Sequence, residues 1–264
     1  MELTWQVVVL LIFSGVIVGV INTLAGGGTI LTISMFTAMG LPITMANGTN
    51  RIAVVLQNLT SSLTFIKKRL LDVKAGLLLS IPTVIGNILG SLMATKLDEG
   101  IFKWCMGVVL AIILVYLLLG KDKQTVTGGH GLSIRWWHYI WFFLIGFYGG
   151  YIYIGLGYLV LAITIWTLHL DMITANILKG FVIFVSSPFS LLVFMYNDQV
   201  EYTYGLLHGF GNIIGAFLAS HYAIGWGVRF VRYFTIVVVV VCFLDLLGVL
   251  SMASGVNWLL SIMG

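Results

Sequence analysis

Two cations stand in apolar surroundings. Arg51 follows the run Ala46-Asn47-Gly48-Thr49-Asn50, and Lys179 follows Ala175-Asn176-Ile177-Leu178. A cation at a membrane helix centre costs at least about 2.5–3.5 kcal/mol, so it faces protein or water. Near a helix start it can instead snorkel to the interface as an anchor. The chemistry that suits both positions is the attraction of a small anion. A glycine cluster precedes each cation. Ala25-Gly26-Gly27-Gly28-Thr29 lies ahead of Arg51, while Gly149-Gly150 and Gly155-Leu156-Gly157 lie ahead of Lys179. Glycine lets the chain turn sharply and lets a ligand approach the backbone. A helix that starts after such a break aims unpaired N–H groups and a positive dipole end at the gap. That geometry suits an oxyanion. Close helix packing or a simple bend would use the same glycines.

Further polar residues lie in apolar runs. Asn22, Asn47, Asn50 and Asn176 flank the breaks and join the candidate site. The candidate substrate set is therefore Asn22, Gly26, Gly27, Gly28, Thr29, Asn47, Asn50, Arg51, Gly150, Gly155, Gly157, Asn176 and Lys179. Gln57, Asn58, Asn87 and Asn212 read as helix–helix hydrogen-bonding residues, the last two in Gly-x-x-x-Gly settings. Asp245 and His208 are the candidates for proton coupling, with a paired acid and a packed histidine as the structural alternatives. Asp171 reads as a helix cap. Cys105 and Cys242 sit in apolar runs and read as small core packers. His130, His138, His169 and His221 show no ligand spacing, so no metal and no cofactor is expected. No nucleophile–base pair and no phosphate-loop lysine motif stands out, which disfavours an enzyme or ATPase.

The elements that must position these residues are membrane helices. The chain is 60% hydrophobic and 8% charged, against roughly 25% charged in a soluble domain. A helix needs about 20 apolar residues to cross the hydrocarbon. Apolar segments run over 5–24, 29–40, 46–66, 75–95, 101–120, 136–148, 158–168, 175–196, 203–223 and 229–250. Those over 29–40, 136–148 and 158–168 are short, and each borders a glycine cluster. Residues 5–40 and 136–168 therefore read as helix–break–helix units. Re-entrant hairpins or full crossings would both satisfy that pattern. No basic region precedes the first apolar run, so that segment reads as retained rather than as a signal peptide. The pI near 9.1 does not point to nucleic acid, because the basic residues lie in loops between spans. The aromatics at segment ends read as an interfacial belt.

The chain repeats itself. Gly28 and Gly157 stand 129 residues apart, as do Ala46-Asn47 and Ala175-Asn176, and Gly76 and Gly205. Gly86-Asn87-Ile88-Leu89-Gly90 matches Gly211-Asn212-Ile213-Ile214-Gly215 at an offset of 125. Such repeats are common in transporters. If each broken unit returns to its starting side, one side holds nine basic loop residues and the other holds Lys96 and Lys103 alone. The positive-inside rule then places the basic loops in the cytoplasm and both termini outside. The fold class expected is all-α and integral to the membrane, with two inverted-topology repeats. Each repeat is a broken unit plus three transmembrane helices. The repeats cover residues 1–120 and 136–264, with a cytoplasmic linker over 121–135.

At these motifs the sequence resembles the sulfite exporter TauE/SafE family. The matching residues are Ala25-Gly26-Gly27-Gly28, Ala46-Asn47-Gly48-Thr49-Asn50-Arg51, Gly146-Phe147-Tyr148-Gly149-Gly150, Gly155, Gly157 and Ala175-Asn176-Ile177-Leu178-Lys179. The chain departs from the family pattern at Ser34, where many members have proline, and at Tyr153, where many have a polar residue such as glutamine. Tyr153 thereby joins the candidate substrate set. The resemblance implies carriage of sulfur-containing anions across the cell (inner or plasma) membrane: sulfite, sulfonates such as sulfoacetate, or related small carboxylates. Expected partners are a small anion and membrane lipid, with no nucleic acid, and a homodimer is an allowed assembly. A passive anion channel and a non-transporting scaffold or assembly factor are the alternatives.

Overall fold

A computed structural model describes residues 3–24, 26–96, 132–246 and 248–250, with scattered positions from 100 to 115 and residues 254–255. Most of the expected span over 101–120, most of the linker, Ala25 and Cys105 lie outside the described residues. So do the side chains of Cys242 and Asp245.

Eight helices are described, in two sets of four. The first set is α1 (Trp5–Leu24), α2 (Thr29–Ala38), α3 (Ile43–Lys67) and α4 (Val73–Ala94). The second is α5 (Trp136–Tyr151), α6 (Leu156–Leu168), α7 (Met172–Tyr196) and α8 (Tyr202–Leu246). No strand occurs among the described residues. Trp5–Leu24, Val73–Ala94 and Ile173–Tyr196 are long and apolar enough to cross a membrane. The caps follow local chemistry. Asp72 accepts from Ala75 N at the start of α4, and Asp171 accepts from Ile173 N and Thr174 N at the start of α7. The capping role expected of Asp171 is thus observed.

One expectation is corrected. The segments over 203–223 and 229–250 are not separate helices, because α8 runs unbroken for 45 residues. The joining sequence Ile224-Gly225-Trp226-Gly227-Val228 holds no proline, so no missing N–H stops the helical ladder. At 1.5 Å per residue α8 is about 68 Å long, more than twice the hydrocarbon thickness of about 30 Å.

The pairing of helices is alike in the two sets. Helix α1 packs on α8 as α5 packs on α4, and α3 packs on α8 as α7 packs on α4. Glycines make these contacts close. A Cβ at Gly86 or Gly90 of α4 would strike the backbone of α5, and one at Gly146 or Gly150 of α5 would strike α4. Gly211 and Gly215 of α8 interlock with Gly15 and Gly19 of α1 in the same way. Apolar packing and backbone approach replace the hydrophobic drive that lipid cannot supply. The packing role expected for Asn87 and Asn212 fits this frame. Asn212 donates to His208 O within its own helix, and both residues are buried.

Both broken units double back. At one end of the second unit, His138 of α5 contacts Thr167 O of α6 at 3.2 Å, and the rings of Trp141 and Trp166 lie 5.9 Å apart. The start of α5 therefore lies beside the end of α6. In the first unit His208 bridges Leu11 O of α1 and the Thr32 hydroxyl of α2. Helix α2 thus returns along the first half of α1. The ten residues of α2 rise about 15 Å, too short to cross the hydrocarbon, so the glycine breaks act as hairpin tips.

Candidate functional site

The two hairpin tips touch. Gly26 at the first break has φ +92°, and a Cβ there would lie 2.6 Å from the Gly157 Cα of the second break. Gly155, at φ +71°, begins α6. These left-handed positions favour glycine, and the Gly26–Gly157 crossing leaves no room for any side chain. The N-terminal ends of α2 and α6 both begin at this crossing. Beside it, a side chain at Gly27 would strike the Tyr158 ring, and Gly28 lies close to Asn22 Oδ1. Thr29 is buried as the first residue of α2.

Each cation reaches the break of the other half. Arg51 on α3 is 0% exposed. Its Nη1 donates to Gly149 O at 2.8 Å, and its Nη2 donates to Gly150 O at 3.1 Å and to Asn47 Oδ1 at 3.2 Å. Asn47 Nδ2 adds a bond to Tyr151 O. Together they satisfy the last carbonyls of α5, which lack intrahelical partners. Lys179 on α7 is 2% exposed. Its Nζ donates to Asn22 O at 3.2 Å and to Asn176 Oδ1. Asn176 Nδ2 donates to Thr23 O at 2.6 Å. That pair caps the end of α1 in the same manner. Positive charge at a helix C-terminus also meets the negative end of its dipole. Burial of both side chains overturns the interfacial-anchor alternative.

Described partners of both cations are carbonyl and amide oxygens, not carboxylates. Dipoles offset a buried charge only in part.

The surroundings of the two cations differ. Arg51 Cζ lies 4.2 Å from the Tyr153 ring centroid and 5.3 Å from that of Phe194. Tyr153 takes φ +69°, a strained conformation for a bulky residue that costs about 1–3 kcal/mol. The cation–π contact helps to hold it there. Lys179 has no such ring. A Cβ at Gly26 would stand 3.2 Å from its Nζ, so the ammonium borders the crossing directly. Asn22 Nδ2 donates to Gln57 Oε1 at 3.3 Å, while Asn22 Oδ1 is buried without a partner. Neither Asn50 side-chain N nor O has a partner among the described residues, although Asn50 is buried.

Comparisons with known proteins identify the family. The family model for the sulfite exporter TauE/SafE matches residues 11–246. The chain belongs to that family. Like the rest of it, this is a multi-pass membrane transporter and not a member of an enzyme family. A probable membrane transporter protein, ORF9, of Sinorhizobium sp. is 24% identical over 94% of this chain and 95% of its own. A probable membrane transporter protein of Haemophilus influenzae is 25% identical over 88% of this chain and 91% of its own. The probable membrane transporter protein YunE of Bacillus subtilis is 25% identical over 75% and 82%. No solved structure matches.

Placed against this TauE/SafE architecture, the candidate substrate residues gather at the breaks and the two helices that follow them. His208 stands apart. It is buried among α1, α2 and α8, bonded to Leu11 O and near the hydroxyls of Ser14 and Thr32. The side chain of Asp245 lies outside the described residues. Sequence reasoning did not place Gln57, Phe194 or the Gly149 carbonyl at the site. Gln57 carried a signal, since Ser186, also polar, stands 129 residues later. Phe194 and the carbonyl carried none, because a ring in an apolar helix and a backbone atom look ordinary in a sequence.

Proposed function

We propose that this transporter carries small sulfur-containing anions, such as sulfite or sulfonates, through a site at the Gly26–Gly157 crossing. One observation carries the reading: two buried cations flank touching helix breaks, and among the described residues only dipoles offset their charge. A bound anion would supply the missing counter-charge. Lys179 is the direct ligand in this reading. A lysine ammonium has three donors, and two are engaged by Asn22 O and Asn176 Oδ1. The third remains for an oxyanion, joined by backbone N–H groups at the starts of α2 and α6. Arg51 raises the local potential while it holds the tip of α5 in place. Asn22, Asn50 and Tyr153 line the same region and would adjust selectivity.

Two further features belong to the proposal. The halves are inverted repeats in the membrane, so rocking of one against the other exposes the site alternately. In support, Gly180 near the start of α7 faces Asn58 and Ser61 in the second half of α3. Arg51 near the start of α3 faces Phe194 near the end of α7. These contacts run α3 and α7 antiparallel, as an axis in the membrane plane requires. The basic loops, including Lys67-Lys68-Arg69, then lie in the cytoplasm.

The test is counterflow in proteoliposomes. Vesicles loaded with unlabelled sulfoacetate or sulfite should accumulate the labelled anion transiently and saturably. Rapid unsaturable flux without counterflow would replace the carrier by a channel. Binding of only uncharged or cationic solutes would end the anion reading.

A further inference from the structure

The long helices after the two breaks share more than a cation. Gln57, Asn58 and Ser61 of α3 stand 129 residues before Ser186, Ser187 and Ser190 of α7. All six are buried. They follow helical spacing, so each set forms a polar file on one face. The antiparallel crossing sets each file against the other half's cation. Asn58 Oδ1 and Ser61 Oγ lie 3.6 and 3.7 Å from a Cβ built on Gly180, the residue after Lys179. Across the centre, the Tyr153 phenol that stacks on Arg51 faces Ser187.

Polar residues inside a membrane bundle usually bond from helix to helix and hold the bundle together. Four of these six do not. Asn58 donates to Val54 O at 2.9 Å, Ser61 to Asn58 O at 3.3 Å, Ser186 to Ile183 O at 3.3 Å and Ser190 to Ser187 O at 3.0 Å. Every one of these acceptors lies on the donor's own helix. Such bonds keep a hydroxyl or amide satisfied while the file is dry. They also release easily, because a helix carbonyl already accepts a backbone N–H. Two nearby groups on α3 have no partner among the described residues: the Ser62 hydroxyl and the whole Asn50 amide, both buried. A buried orphan costs about 1–3 kcal/mol, so its persistence points to a ligand that uses it.

We propose that α3 and α7 carry two half-paths for a small anion, one to each face of the protein. The Gln57–Asn58–Ser61 file leads from Lys179 toward the Lys67-Lys68-Arg69 end of α3. From Ser61 to Lys67 is about 9 Å of helix rise. The Ser186–Ser187–Ser190 file leads along α7 to the Phe194 ring that meets Arg51, and on to Tyr196 at the end of α7. Rotating hydroxyl and amide donors replace the hydration shell of the anion along each route. The two routes differ in chemistry, since the first is amide-rich and the second carries hydroxyls alone. This inference rests on the transport reading above.

Thiol accessibility tests it. Ser61→Cys and Ser190→Cys are made separately with Cys105 and Cys242 replaced by serine, and with Leu70→Cys as the marker for the basic-loop side. Membrane-impermeant methanethiosulfonates are applied from one side at a time. Ser61→Cys should react only from the side that labels Leu70→Cys, and Ser190→Cys only from the opposite side. An anionic reagent should react about 10-fold faster than a cationic one of similar size. Sulfoacetate should slow both reactions. In parallel, Ser61→Ala and Ser190→Ala should lower flux several-fold with an unchanged melting temperature. Transport by protein whose two thiols resist labelling from both sides overturns the half-paths, as does labelling of both from one side. Labelling that sulfoacetate slows, in protein that gives no flux, supports the half-paths and overturns the carrier reading.

Discussion

Arg51 and Lys179 hold equivalent posts on α3 and α7, yet their neighbours assign them different work. The Arg51 guanidinium lies between the rings of Tyr153 and Phe194 and makes three hydrogen bonds, two of them to the end of α5. The Lys179 ammonium meets a glycine crossing and makes two. The planar fork of arginine suits a fixed position with several acceptors, whereas a compact ammonium keeps rotatable donors for a partner that comes and goes. The lesson is that a repeat conserves the post, while the residue chosen for it divides anchoring from binding.

The largest expected effect breaks that division directly. Arg51→Met removes a buried cation that holds two carbonyls of α5 and one amide. Each buried acceptor left without its partner costs about 1–3 kcal/mol. Folded yield and melting temperature in detergent should fall sharply. Lys179→Met should keep most of the folded yield and instead abolish saturable sulfoacetate counterflow. Equal loss of stability in both variants would erase the distinction.

The crossing itself comes next. Gly157→Ala forces a methyl group into the Gly26 backbone, so counterflow and melting temperature should both drop. Gly180→Ala, one residue past Lys179, has its nearest neighbour at 3.6 Å and should behave as wild type in a melting experiment. A tolerant Gly157 would mean that the breaks need not touch.

Tyr153 sharpens the comparison from the arginine side. Tyr153→Gly removes left-handed strain of about 1–3 kcal/mol together with a cation–π contact of about 0.5–2 kcal/mol. The ring is also buried in a core cluster, and deleting a buried aromatic side chain costs about 3–5 kcal/mol, so the melting temperature should fall. The relative rates of sulfite and sulfoacetate transport should change, because the ring over Arg51 is gone. Unchanged selectivity would remove Tyr153 from the site.

The smallest effect is a control on the scaffold. Asp171→Ala deletes the cap of α7, which bonds Ile173 N and Thr174 N. It should cost about 1 kcal/mol, seen as a small shift in melting temperature, and leave the apparent affinity for sulfoacetate unaltered. A changed affinity would show that the start of α7 sets the position of Lys179.

Much of this molecule was legible before any coordinates. The low charge content, the apolar lengths, the glycine breaks and the offset of 129 are written in one dimension. They determine a helical membrane protein with two glycine breaks and a cation after each. The ends of α1 and α7 were legible too, because apolar run and polar boundary coincide at Leu24 and Tyr196. The continuous helix Tyr202–Leu246 was not, since the joining sequence holds glycines but no proline to force or forbid a break.

Tertiary structure alone decided which half each cation serves. Hydrogen bonds to backbone carbonyls have no sequence signature, so neither Gly149 O nor Asn22 O could be named as a partner in advance. The contact of Gly26 with Gly157 and the stacking of Tyr153 on Arg51 join residues more than a hundred positions apart. Residue type and spacing set which groups lipid will tolerate. Only the packed fold sets which of those groups meet, because helices associate through close backbone approach along whole faces.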